Sequence, residues 1–90
     1  MRIEWTPEAL AELETILNHL PPEIATNTAE RIVQAEKNTV AFPKSALYHE
    51  DLDVYERYIP KTRVILIYHV KDQIIEIISA FHTSRDPAEK

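Results

Sequence analysis

The chain has no glycine in 90 residues. Glycine alone reaches positive φ without a steric penalty, so every left-handed turn position here must be filled by Asn, Asp or another residue bearing a Cβ. Helices must also stop without the glycine that so often terminates them. The six prolines supply the punctuation instead.

Two of them open helices. In "RIEWTPEAL", a short strand candidate runs into Thr6 as N-cap, Pro7 at the first helical position and Glu8 in the first turn, where its charge suits the helix dipole. Leu10, Leu13, Leu17 and Leu20 follow at spacings of three and four, one apolar stripe on a helix reaching about Leu20. Pro21-Pro22 breaks it. A second helix from about Glu23 turns Ala25, Ala29, Ile32, Val33 and Val40 inward and ends at Phe42-Pro43. So short a turn predicts antiparallel packing and a shared apolar side that needs a cover.

The C-terminal half provides it. "VYERYI", "RVILIYHV" and "QIIEIISAFH" are rich in β-branched and aromatic residues and read as an antiparallel meander, with Pro43 to Asp53 as the one long connection. A two-residue turn at Lys71-Asp72 would pair 70 with 73, 68 with 75, 66 with 77 and 64 with 79. One face then holds Val64, Leu66, Tyr68, Val70, Ile75, Ile77, Ser79 and Phe81, and suits the helices. The other holds Arg63, Ile65, Ile67, His69, Ile74, Glu76, Ile78, Ala80 and His82. Isoleucines beside ionisable groups on an open face resemble a binding surface, because soluble monomers rarely leave a contiguous apolar patch without a partner.

Ninety residues make a single domain, 1–90. Zero cysteines exclude disulfides and thiolate metal sites, and the absence of a secretory leader or an apolar stretch of spanning length predicts a cytoplasmic protein away from membranes. Charge is uneven. Residues 1–53 carry four Lys/Arg against ten Asp/Glu, and residues 54–90 carry six against five, for a total of −5. Free nucleic acid is a poor partner for such a chain, since phosphate binding draws on many cations and the counterions they release.

"IEWTPEALAELETI", "RYIPKTRVILIYHV" and "IIEIISAFHTSRDP" together resemble the ParE/RelE superfamily of bacterial toxins from type II toxin–antitoxin modules. Trp5, Pro7 and the His82…Arg85-Asp86-Pro87 stretch carry the likeness most specifically, and the ending is closer to the ParE, or plasmid-stabilisation, branch. The resemblance implies an α+β fold, an antiparallel helix hairpin packed on a small, mainly antiparallel β-sheet. It also implies an antitoxin partner whose C-terminal segment wraps the toxin. ParE-type members poison DNA gyrase; RelE-type members cut mRNA on the ribosome. A Lys71-Asp72 turn in place of the family's glycine-containing one, and an acidic balance unlike the basic ribonuclease branch, are departures.

Metal-free RNA cleavage needs a base for the 2′-hydroxyl, an acid for the leaving oxygen and cations for the phosphate. Glu56 or Glu76 is the candidate base, His82 the acid, and Arg63 and Arg85 the phosphate partners. Most mixed domains with four histidines offer such a set, so each residue has a plainer reading: His82 shaping the strand end, Arg63 paired with Glu76 across the strands, Arg85 tied to Asp86. In the gyrase reading Arg63, His82 and Arg85 touch the target, while Ile65, Ile67 and Ile78 are covered by the antitoxin. A third reading is a non-toxic relative that only binds an antitoxin. No cofactor is expected, and the histidines are too scattered for a metal site.

Overall fold

The computed structural model describes residues 1–83. The elements run β1 (Arg2–Trp5), α1 (Pro7–Asn18), α2 (Pro22–Ala41), β2 (Leu47–His49), β3 (Val54–Tyr58), β4 (Val64–Lys71) and β5 (Ile74–His82). Thr6 caps α1 as expected, its hydroxyl accepting the Ala9 N–H at 3.1 Å. Both helices end without a left-handed residue: His19 closes α1 at φ −94° and Phe42 closes α2 at φ −138°. Among the described residues positive φ is confined to Asp53, Lys61, Asp72 and Gln73, all next to or between strands.

The helix faces are rotated from the predicted stripes. On α1 the buried residues are Ala9 and Ile16, with Leu13 half-buried, while Leu10 is exposed. On α2 they are Thr28, Ile32, Ala35 and Thr39, and Val33 and Val40 face outward. Small and hydroxyl residues can turn inward here. Thr39 donates to the Ala35 carbonyl at 2.7 Å, so its hydroxyl is satisfied within the helix and its methyl is left to pack.

The sheet has five strands in the order β1-β5-β4-β3-β2. β1 lies parallel to β5, and the remaining neighbours are antiparallel. The expected long connection contains the edge strand β2, which pairs Leu47 with Glu56 and His49 with Val54. The β4–β5 turn is Asp72-Gln73, one residue later than predicted, with both residues left-handed as a type I′ turn requires. Moving the turn by one position leaves the faces intact, so Val64, Leu66, Tyr68, Ile75 and Ile77 do form the core.

The faces change further along. Tyr68 pairs with Ile77 but Ile67 pairs with Ser79, so Ile78 is the extra residue of a β-bulge. Beyond it the alternation inverts: Ala80 is buried and Phe81 points out, the reverse of the expected arrangement. His82 follows Ala80 inward, opposite the fully buried Val64. The bulge occurs where β5 outlasts its short neighbour β1, and Glu12 of α1 fills the gap. Its carboxylate accepts the Ala80 N–H at 2.9 Å and the Ser79 hydroxyl at 3.2 Å. Trp5 ties the same edge to α2, donating its indole N–H to Glu36 at 2.6 Å.

Candidate functional site

Cross-strand pairing builds rows on the face turned away from the helices. Tyr58, Ile65 and Phe81 form one row across β3, β4 and β5; Leu47, Glu56, Ile67 and Ser79 form the next. Ile65 and Ile67 are half-buried within a surface whose Leu47, Tyr58 and Phe81 are exposed. Ile78, unpaired at the bulge, stands outside these rows and is half-buried. Two histidine–carboxylate pairs flank the apolar centre: His49 with Glu56 at 2.8 Å, and His69 with Glu76 at 2.9 Å. The expected Arg63–Glu76 pair does not form. Register places Glu76, rather than Ile74, opposite His69, and Arg63 precedes β4 at its far end.

Arg63 and His82 are instead brought together at the other end of the sheet. They line a groove of about 670 Å³ with Leu20, Ile24, Thr28, Tyr58, Lys61 and Val64, between the start of α2, the β3–β4 turn and the end of β5. The turn is firmly held. Tyr58 donates to the Thr62 carbonyl at 2.6 Å, the Thr62 hydroxyl donates to the Ile59 carbonyl at 2.8 Å, and the Val64 N–H donates to that hydroxyl at 3.0 Å. Lys61 sits in it at φ 62°, a left-handed backbone that costs a residue with a Cβ about 1–2 kcal/mol.

The proposed ribonuclease set is therefore dispersed. Glu76 and His82 are six positions apart on one strand, roughly 20 Å at a strand's rise per residue. Glu56 lies on the outer face, hydrogen-bonded to His49, whereas His82 lies on the inner one. Arg85 and Asp86 fall outside the described residues. Among the described residues no three His, Cys, Asp or Glu side chains converge as metal ligands.

Sequence reasoning missed a second cationic centre. Arg57 reaches the Phe42 carbonyl and the Ser45 hydroxyl, each at 3.2 Å, and so fastens the chain after α2 onto β3. Its Nε is buried without a hydrogen-bond partner among the described residues. Beside it Tyr48, Tyr55 and Tyr68 form an aromatic ladder, with centroids 4.8 and 5.3 Å apart, and the Tyr68 hydroxyl donates to Pro43 O at 2.8 Å. At the ladder's exposed end Tyr48 donates to Asp53 at 2.6 Å. That hydrogen bond to a carboxylate, aided by the negative charge itself, pushes the Tyr48 phenol up to about 12.

A family model described as the ParE toxin of the type II toxin–antitoxin system parDE matches residues 3–87. The chain belongs to the ParE toxin family. Its fold superposes on the chromosomal ParDE toxin–antitoxin system of P. aeruginosa with a TM-score of 0.77 and 25% identity, over 91% of this chain and 95% of that one. The intact RelBE toxin–antitoxin complex of E. coli matches at TM-score 0.53 and 17% identity, over 89% of this chain and 93% of that one. A conserved hypothetical protein of Helicobacter pylori matches at 0.61 and 19%, over 93% and 96%. These two likenesses concern the fold. No curated protein matches the chain. The α+β architecture of two helices on a mostly antiparallel sheet is thus that of ParE and RelE, and this ParE-family chain is a toxin of a type II module. Among its described residues no helix is long and apolar enough to cross a membrane.

Proposed function

We propose that this ParE-family toxin acts by binding, with DNA gyrase as its target, and that a cognate antitoxin neutralises it by covering the outer sheet face. The dispersal of the candidate acid and base carries this reading. General acid–base chemistry needs both groups within hydrogen-bond reach of one substrate, and Glu76 and His82 are roughly 20 Å apart along β5. A binding inhibitor has no such requirement. The acidic balance favours a protein target over ribosomal RNA, which would repel a chain of net charge −5 at long range. In this reading Arg63, His82 and Arg85 contact the target, and Ile65, Ile67 and Ile78 contact the antitoxin.

The antitoxin-free protein should inhibit gyrase supercoiling in vitro and leave mRNA intact in a translating extract. Codon-specific cuts by primer extension, with supercoiling unaffected, would transfer the chain to the ribonuclease branch.

A further inference from the structure

The groove at the β3–β4 turn continues along α2. A second depression of about 650 Å³ shares Ile24, Thr28 and Lys61 with the first and extends over Asn27, Glu30, Arg31 and Gln34. Its charge opposes that of the chain. Against a net −5, the lining residues include Arg31, Lys61 and Arg63, and none of these three has a carboxylate partner among the described residues. Glu30, at one end, is the sole carboxylate among the described lining residues.

Two further observations point to a ligand. Thr28 is only 5% exposed and lines both depressions, yet its hydroxyl makes no hydrogen bond among the described residues. That hydroxyl is not among the buried unpartnered atoms and so opens into the groove, whereas the hydroxyl of Thr39 on the same helix is spent on the Ala35 carbonyl. Lys61 is also held in a strained backbone by a turn with three side-chain hydrogen bonds, so its ammonium is presented from a fixed point. The floor between these polar groups is aliphatic, formed by Leu20, Ile24 and Val64.

We infer that this groove docks an acidic segment of a protein partner, with carboxylates meeting Lys61 and Arg63 and an aliphatic side chain entering between Leu20 and Ile24. The inference rests on the target-binding reading above and adds the partner's chemistry, together with Lys61, Thr28, Ile24 and Leu20 as contacts. Charge complementarity selects an acidic occupant. The aliphatic floor selects protein over nucleic acid, because a sugar–phosphate backbone has no side chain to bury there. Thr28 supplies the donor for a carbonyl or carboxylate of the segment.

The test uses the full chain and a fluorescein-labelled synthetic peptide of repeated Glu-Leu-Glu-Glu, with a Lys-Leu-Lys-Lys peptide and a single-stranded DNA oligonucleotide as comparators, read by anisotropy. The acidic peptide should bind. Lys61→Glu and Arg63→Glu should each weaken it at least about tenfold, and Thr28→Val by roughly threefold to tenfold. Lys61 and Arg63 are exposed, and a glutamate at 61 keeps the same Cβ, so circular dichroism should report folded variants. No binding of the acidic peptide, tighter binding of the basic peptide or the DNA, or affinity indifferent to these substitutions would overturn the inference. Supercoiling inhibition measured on the same proteins separates the two readings. Wild-type protein without effect on gyrase removes the gyrase target but leaves the peptide result standing; inhibition undiminished in Lys61→Glu and Arg63→Glu removes the groove and leaves the gyrase target.

Discussion

Replacing Gln73 by glycine should stabilise the protein. Gln73 occupies the second central position of the Asp72-Gln73 turn at φ 68°, its side chain is exposed, and its carbonyl accepts the Arg2 N–H at 3.3 Å, a bond that glycine retains. A left-handed residue with a Cβ costs about 1–2 kcal/mol. Glycine removes that cost but widens the unfolded ensemble, returning roughly 0.5–1 kcal/mol of it. The net gain is about 0.5–1 kcal/mol, and Asp-Gly is a favoured pair for a type I′ hairpin. For a domain of this size that corresponds to a rise in Tm of roughly 2–8 °C. Thermal melts followed by circular dichroism, with urea titration in parallel, would measure it. Lys71→Gly, two residues earlier in the extended backbone of β4, serves as the control and should lose roughly 0.5–1 kcal/mol. A Gln73→Gly protein that melts at or below the wild-type temperature would refute the strain argument.

Three other expectations can be checked together. Ile67→Asp should weaken the antitoxin complex by about tenfold to a hundredfold, the equivalent of losing about 1.5–3 kcal/mol of aliphatic burial; undiminished co-purification of a folded variant with tagged antitoxin would contradict it. Glu12→Ala strips the Ala80 N–H of its acceptor and should cost about 1–3 kcal/mol in chemical denaturation, whereas Glu12→Gln, which keeps an acceptor oxygen, should cost less. Ultraviolet titration should find one phenol near pH 12, and Asp53→Asn should bring it back towards 10. The sign follows from the raised value. The Tyr48–Asp53 contact contributes fully below pH 10 and is lost as the phenol ionises between 10 and about 12.

The strands and helices were legible because their signals are local. Thr6-Pro7 marks a helix start by capping and fixed φ, and the alternation at Val64, Leu66 and Tyr68 survives any turn that keeps parity. The bulge was not legible. It arises where β5 runs past β1 and meets Glu12 of α1, a contact between residues 68 positions apart. It carried Ala80 and His82 to the inner face and Phe81 to the outer one, separating the candidate acid from the candidate bases. On α2, hydropathy favoured Val33 and Val40 over Thr28 and Thr39; a threonine such as Thr39, which satisfies its own hydroxyl within the helix, cannot be told from an exposed one by composition. Lys61 and Thr28 carry no motif; a strained turn and a helix start place them in the same groove.

The parallel pairing of β1 with β5 sets the order in which the toxin can be completed. Arg2 and Ile3 leave the ribosome first, yet their partners Ile74 and Ile75 are made about 70 residues later, an interval of several seconds at roughly 5–20 residues per second. α1 docks on the same late strand through Glu12. Until β5 emerges, the first strand and the helix that follows it have no sheet to fold against, and the row of Tyr58, Ile65 and Phe81 lacks its last member. A nascent or prematurely ended chain therefore lacks both the completed sheet and that outer row. The fold and its outer apolar row come into existence together.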